Sequence, residues 1–175
     1  MKRILSIVCC LALCCLPALA KKGHHAAKGG APMTDQKFVD FAAQTDMMEA
    51  HLGQMAQNQA GRQDVKDYAQ TLVTDHTSDY QQLTEAAGKA NLTVPKGLDA
   101  AHDKMIAPFE KLKGAAFDTR YIHEMIAGHK KAIGVYNKEA AQAQNADLKA
   151  YASAALPTLQ KHLDGAEGLM KKPAK

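Results

Sequence analysis

The sequence predicts an all-α protein, a single four-helix bundle built from two helical hairpins joined by a longer connection that contains a short helix. Three observations predict it. Four segments carry apolar residues spaced alternately three and four apart, the period of a helix with one buried face. Helix-starting and helix-ending residues punctuate those segments at the right places. An internal repeat, Asp64-Val65-Lys66-Asp67-Tyr68-Ala69 against Asp147-Leu148-Lys149-Ala150-Tyr151-Ala152, stands in both cases between one long amphipathic stretch and the next.

The first residues are set apart from the fold. Lys2 and Arg3 precede an apolar run from Ile4 to Leu16, Pro17 breaks it, and Ala18-Leu19-Ala20 supplies the small residues a signal peptidase reads. That is the pattern of a secretory signal peptide over 1–20, too short to span a bilayer, with cleavage after Ala20. A lipoprotein signal is disfavoured because Leu13 stands before Cys14 where a small residue is wanted. All four cysteines (Cys9, Cys10, Cys14, Cys15) fall in this segment, so the mature chain has no disulfide and no thiol, and its stability comes from packing. Residues 21–33 are almost all Lys, Gly, His, Ala and Pro without a period and are expected to form a flexible leader with His24 and His25 in solvent. Charge is close to balanced, 22 Lys and Arg against 18 Asp and Glu, with the surplus mostly in the two tails. No basic stripe interleaved with aromatics exists, which excludes a nucleic-acid surface. The basic tails leave a peripheral contact with an anionic membrane or an envelope protein open.

The single domain is expected over 34–172. Thr34 caps the first helix, Asp35 favours its first turn and Met33 can staple onto Phe38. Its stripe is Phe38, Phe41, Thr45, Met48, Leu52 and Met55, and Gly61 ends it. Asp64 is expected to cap the second helix, with the stripe Val65, Ala69, Leu72, His76, Leu83 and Ala87. Asn91 to Gly97 reads as a loop, 98–113 as a short helix disturbed at Pro108. After Gly114 the third long helix carries Phe117, Ile122, Met125, His129, Ile133 and Tyr136; the fourth, with Asp147 expected as its cap, carries Leu148, Ala152, Ala155, Leu159, His162, Ala166 and Leu169. Pro157 should kink that last helix just before His162.

The polar residues on these stripes carry the chemistry. At 100° per residue Glu49 lies on the inner edge of the first helix, beside Met48 and Leu52, while His51 points to solvent. His76, His129 and His162 fall on the apolar stripes of the other three. Counted from their turns at a rise of about 1.5 Å per residue, all four stand roughly 18–25 Å along helices of about 40 Å, at one level. One carboxylate and three imidazoles suit zinc, iron or copper, whereas calcium or magnesium wants more oxygen. Asp75, Tyr80 and Asp118, with Asp79 and Glu124, are candidate outer partners. The same residues also fit a structural polar layer that fixes helix register, and the sequence leaves both readings open. Met47, Met48, Met55 and Met125 read as core packing, His102 and His123 as surface. No Ser-His-Asp set in a strand-turn-helix context, Gly-rich phosphate loop or paired carboxylates in a cleft marks a catalytic site.

Glu49 with Gly53, Val65-Lys66-Asp67-Tyr68-Ala69 leading to Val73-Thr74-Asp75-His76-Thr77, then Phe117-Asp118, Tyr121, His129, and Leu156-Pro157 followed by His162 resemble, in this order, the bacterial secreted family known as domain-of-unknown-function family 4142. The resemblance runs from about Phe38 to Leu169. It implies export and a ferritin-like helical bundle, often labelled an outer-membrane protein, and no established activity. Ferritin-like di-iron centres use Glu-x-x-His on two helices plus a Glu on each of the others; the last three long helices carry no such motif, so a single-metal site, or a decayed one, fits better. Three functions follow as expectations: an exported bundle binding one transition-metal ion, a non-catalytic envelope interaction or stress-related module, and a ferroxidase-like enzyme.

Overall fold

The computed structural model describes residues 33–172; the expected signal peptide and nearly all of the leader lie outside them. Four long helices form, α1 (Asp35–Gln59), α2 (Gln63–Lys89), α4 (Ala115–Gln142) and α5 (Ala146–Met170), with a short α3 (Ala100–Ile106) and a 3₁₀ turn over Ala107–Phe109 between α2 and α4. The helix starts have local causes. Thr34 Oγ1 accepts from the amide of Lys37, Asp99 from those of Ala101 and His102, and Asn145 from those of Asp147 and Leu148, each satisfying first-turn N–H groups that have no intrahelical partner.

Two expected caps are corrected. Asp147 lies inside the first turn of α5, where Asn145 does the capping. Asp64 likewise lies inside α2, whose cap position is Arg62 without a side-chain cap bond. The Arg62 guanidinium takes both Asp64 oxygens at 3.0 and 2.9 Å and also donates to the Leu169 carbonyl, tying the start of α2 to the end of α5. Arg62 holds the Asp64 carboxyl down at about 2. Met33, expected to staple onto Phe38, remains 42% exposed. Pro157 lies inside α5, which runs as one helix from Ala146 to Met170.

Around the bundle the order is α1, α2, α5, α4, so each hairpin packs internally and the hairpins meet through α2–α5 and α1–α4. The Gly114 amide donates to the Gln59 carbonyl at 2.7 Å, so α4 begins beside the end of α1. Neighbouring helices are therefore all antiparallel, and the connection from α2 to α4 runs the length of the bundle. A single long crossover of this kind is the ferritin-like topology. Three glutamines of α1 hold the crossover by its backbone: Gln36 bonds Thr93, Gln44 bonds Gly97 and Asp99, and Gln59 donates to the carbonyls of Phe109, Glu110 and Leu112. At the far end Gly114 takes a φ of 59°, open to glycine at little cost, and a Cβ on Gly61 would lie 3.0 Å from the Gly114 Cα.

The two hairpins share one register. The offset that carries Gln59 onto Gln142 at the end of the first helix also carries Gln63 onto Ala146 at the start of the second, and Tyr68 onto Tyr151. The repeat tyrosines reach across to the other hairpin at matching places: Tyr68 donates to the His162 carbonyl at 2.9 Å and Tyr151 to the Asp79 carboxylate at 2.7 Å.

The core is in two halves. Leu52, Leu72, Phe109, Phe117, Tyr121 and Leu169 belong to one apolar cluster; Phe38, Leu83, Tyr136, Leu148, Tyr151 and Leu159 to the other. Burying each such side chain contributes about 1.5–3 kcal/mol, which is what fixes the helix faces. Between the halves lies a layer of buried polar residues: Asp46, Glu49, His76, His129 and His162.

Candidate metal centre

The inward faces of all four long helices deliver this layer. Glu49 and His129 are fully buried, and His76 and His162 are each 2% exposed. The ring centroids of His76, His129 and His162 lie 5.2 to 5.7 Å apart. One nitrogen from each ring falls within 4.8 Å of the others. Donors about 2 Å from a tetrahedral zinc stand about 3.3 Å from one another, so a small shift of the rings closes the set on one ion.

Each ring is oriented by its other nitrogen. His76 Nδ1 donates to Asp46 Oδ1 at 2.9 Å, His162 Nε2 to Asp75 Oδ2 at 2.9 Å, and His129 Nδ1 to the carbonyl of Met125 at 2.8 Å. A carbonyl can only accept, so the His129 hydrogen sits on Nδ1 and its Nε2 presents a lone pair. Imidazole with one N–H tied to a carboxylate or carbonyl and the other nitrogen free is the arrangement that orients a metal ligand. The free nitrogens are His76 Nε2, His129 Nε2 and His162 Nδ1, and none has a hydrogen-bond partner among the described residues; neither has either oxygen of Glu49. Glu49 Oε2 does lie 2.9 Å from His76 Nε2 and 3.3 Å from His129 Nε2. Both approaches fall outside hydrogen-bond geometry, so they count as charge proximity. A buried polar atom without a partner costs about 1–3 kcal/mol; His129 Nε2 and His162 Nδ1 have no partner, and His76 Nε2 and Glu49 Oε2 have only each other's charge at 2.9 Å. A cation shared among these groups would satisfy them.

The electrostatics favour positive charge here. Burial opposes ionisation of Glu49, yet the fields of His129, His76 and His162 hold its carboxyl below the ordinary range. Burial likewise opposes a charge on His76, yet Glu49 and Asp46 raise it well above the ordinary imidazole. Burial pushes Asp46 up to about 7 against the pull of His76. His162 moves the other way, down to about 4, because burial outweighs its bond to Asp75. A proton on His76 and a metal ion among the rings are alternative ways to supply positive charge at one place.

Of the outer partners expected from sequence, Asp75 holds His162. Tyr80 donates instead to the Pro95 carbonyl at 2.6 Å, and Asp118 accepts from the amides of Gly61 and Arg62 at the end of the bundle, so neither supports an imidazole. Asp79 accepts from Tyr151, and Glu124 is half-buried. Asp46 was not among the sequence candidates; its signal was a position one turn before Glu49 on the same face. Gly128 was missed too: a Cβ there would lie 3.0 Å from Glu49 Oε1, so the glycine makes room for the carboxylate. Met48 and Met125 are buried in the core and Met47 and Met55 pack against it, while His51 and His123 are exposed and His102 is half-buried. Among the described residues no helix is long and apolar enough to cross a membrane.

No curated protein sequence matches the chain. Among solved structures it is similar to CopM in the Cu(II)-bound form, with a TM-score of 0.65 at 16% identity over 79% of this chain and 96% of that one. CopM in the Cu(I)-bound form gives 0.63 at 15% identity, over 78% and 94%. At that identity the likeness establishes the helical-bundle fold. The profile of a domain of unknown function (DUF4142) matches residues 20–169, and the chain belongs to that family.

Proposed function

We propose that this protein is an exported metal-binding bundle that holds one transition-metal ion between its four long helices, with His76, His129, His162 and Glu49 as ligands. The observation that carries the reading is that each histidine spends one nitrogen on an oriented hydrogen bond and leaves the other, with Glu49, partnerless toward its neighbours. Three imidazoles and a carboxylate fit zinc, iron or copper. The likeness to a bundle solved with Cu(II) and with Cu(I) puts copper first among them. Export rests on the signal-peptide pattern of residues 1–20. The protein binds and holds the ion; a ferroxidase reading rests on fold analogy alone, and absence of oxygen uptake with ferrous iron would remove it.

A second reading is favoured by the Asp46–His76–Glu49 arrangement, in which a protonated His76 between two carboxylates makes the layer a structural element that fixes register. One experiment separates the two. Elemental analysis of the purified, untagged protein is set beside the His76→Ala/His162→Ala double variant. About one ion per chain in the parent and none in the variant supports the metal site and names the metal. No metal in either, with the variant less stable, supports the structural layer.

A further inference from the structure

Glu49 and His129 are sealed from solvent, and the apolar halves of the core close the layer above and below. The α2–α5 side differs. A cleft of about 310 Å³ opens there between the hairpins, with His76 and His162 among its lining residues. From α2 it is lined by Asp75 and Asp79; from α5 by the small side chains of Ala154 and Ala155, with Thr158 and Lys161. Asp75 stands at the junction: its side chain is 34% exposed, and it accepts the Nε2 hydrogen of His162, whose Nδ1 lacks a partner.

We propose that the α2–α5 cleft is the passage by which a transition-metal cation reaches and leaves the histidine cluster, with the Asp75–His162 pair as its inner threshold. The proposal rests on the metal-site reading above and adds the route. Asp75 and Asp79 offer carboxylate oxygens to an incoming hydrated cation at partly exposed positions, and Lys161 on the rim limits how far negative charge accumulates there. His76 and His162 line the cleft, whereas His129 is fully buried and is not among its lining residues. Handing the ion inward exchanges water for imidazole nitrogen one ligand at a time, without separating the helices.

The test fills the passage and leaves the ligands untouched. Ala154→Trp and Thr158→Trp introduce bulk at two exposed positions of α5 within the cleft, and Lys138→Trp puts the same bulk on exposed α4 surface as a control. Cu(II) uptake by the metal-free proteins is followed by stopped-flow absorbance, and release by transfer to an excess of chelator. The expected result is that association and dissociation both slow by about tenfold in the cleft variants, with equilibrium affinity within about twofold of the parent and the control unchanged. Stoichiometric binding at parental rates in both cleft variants would overturn the passage and leave the metal site standing. Loss of affinity at an unchanged association rate would overturn it equally, because the bulk would then be acting on the site. A parent protein that takes up no Cu(II), zinc or iron would overturn the metal site, and the passage with it.

Discussion

Gly128→Ala separates the needs of the fold from the needs of the site. In the middle of α4, alanine should favour the helix by about 1 kcal/mol over glycine. The new Cβ, however, would lie 3.0 Å from Glu49 Oε1, where ordinary contact begins at 3.4 Å, so the carboxylate has to retreat by a few tenths of an ångström. Glu49 is fully buried, and its other oxygen lies 2.9 Å from His76 and 3.3 Å from His129, so the retreat is made at the expense of those approaches. Overpacking of this kind costs about 1–3 kcal/mol. Set against the propensity gain, the net loss of stability should be about 0–2 kcal/mol. Metal affinity should fall further in proportion, by about 10- to 100-fold, the range seen when a ligand's support is disturbed. Thermal denaturation followed by circular dichroism measures the first quantity, and competition titration with a chelating indicator the second. A variant that gains the full ~1 kcal/mol and keeps its metal affinity would refute both the role of Glu49 as a ligand and the reason for glycine at this position.

Two further predictions concern the rest of the bundle. Asp118→Ala removes the acceptor of two backbone amides, at 2.9 and 3.0 Å, where α1 turns into α2; it should cost about 3 kcal/mol in urea denaturation while leaving metal stoichiometry unchanged. Glu139, 5% exposed, has its carboxyl pushed up to about 7 by burial, so between about pH 4.5 and 7 the unfolded chain releases this proton before the folded one, and stability falls across that window. Glu139→Gln should flatten that part of the stability–pH curve and stabilise the protein by about 1–3 kcal/mol at pH 8, with little effect at pH 4; a curve of unchanged slope would contradict the assignment.

The architecture was legible because apolar spacing records which face of each helix is buried. The stripes through Leu52, Leu72, Met125 and Leu159 mark inward faces that the structure buries, and the shared level of Glu49, His76, His129 and His162 followed from counting residues back to the turns. Less legible was whatever depends on which atom faces which. Asp118 and Tyr80 sit at suitable positions on their helices, but Asp118 accepts from the amides of Gly61 and Arg62 and Tyr80 donates to the Pro95 carbonyl, and helix periodicity says nothing about loop backbone. Asp46 was overlooked because a carboxylate flanking an apolar stripe reads as a solvated edge until its partner on another helix is known. The start of α2 was misplaced for a similar reason: Asp64 has the composition of a cap, but Arg62 lies within reach and takes both of its oxygens. The crossover, too, is fixed by long-range bonds from Gln36, Gln44 and Gln59 that no local pattern announces.

The division of the chain into two hairpins in one register has a mechanical meaning. Glu49 and His76 belong to the first hairpin, His129 and His162 to the second. An ion held by all four would be a clasp between two halves that otherwise meet through side-chain packing and a handful of hydrogen bonds. Prising the halves apart along α2–α5 and α1–α4 would pull the ligand set in two, with two donors leaving on each side. The loaded protein should therefore resist force and proteolysis most along that seam, and the empty one should breathe there first.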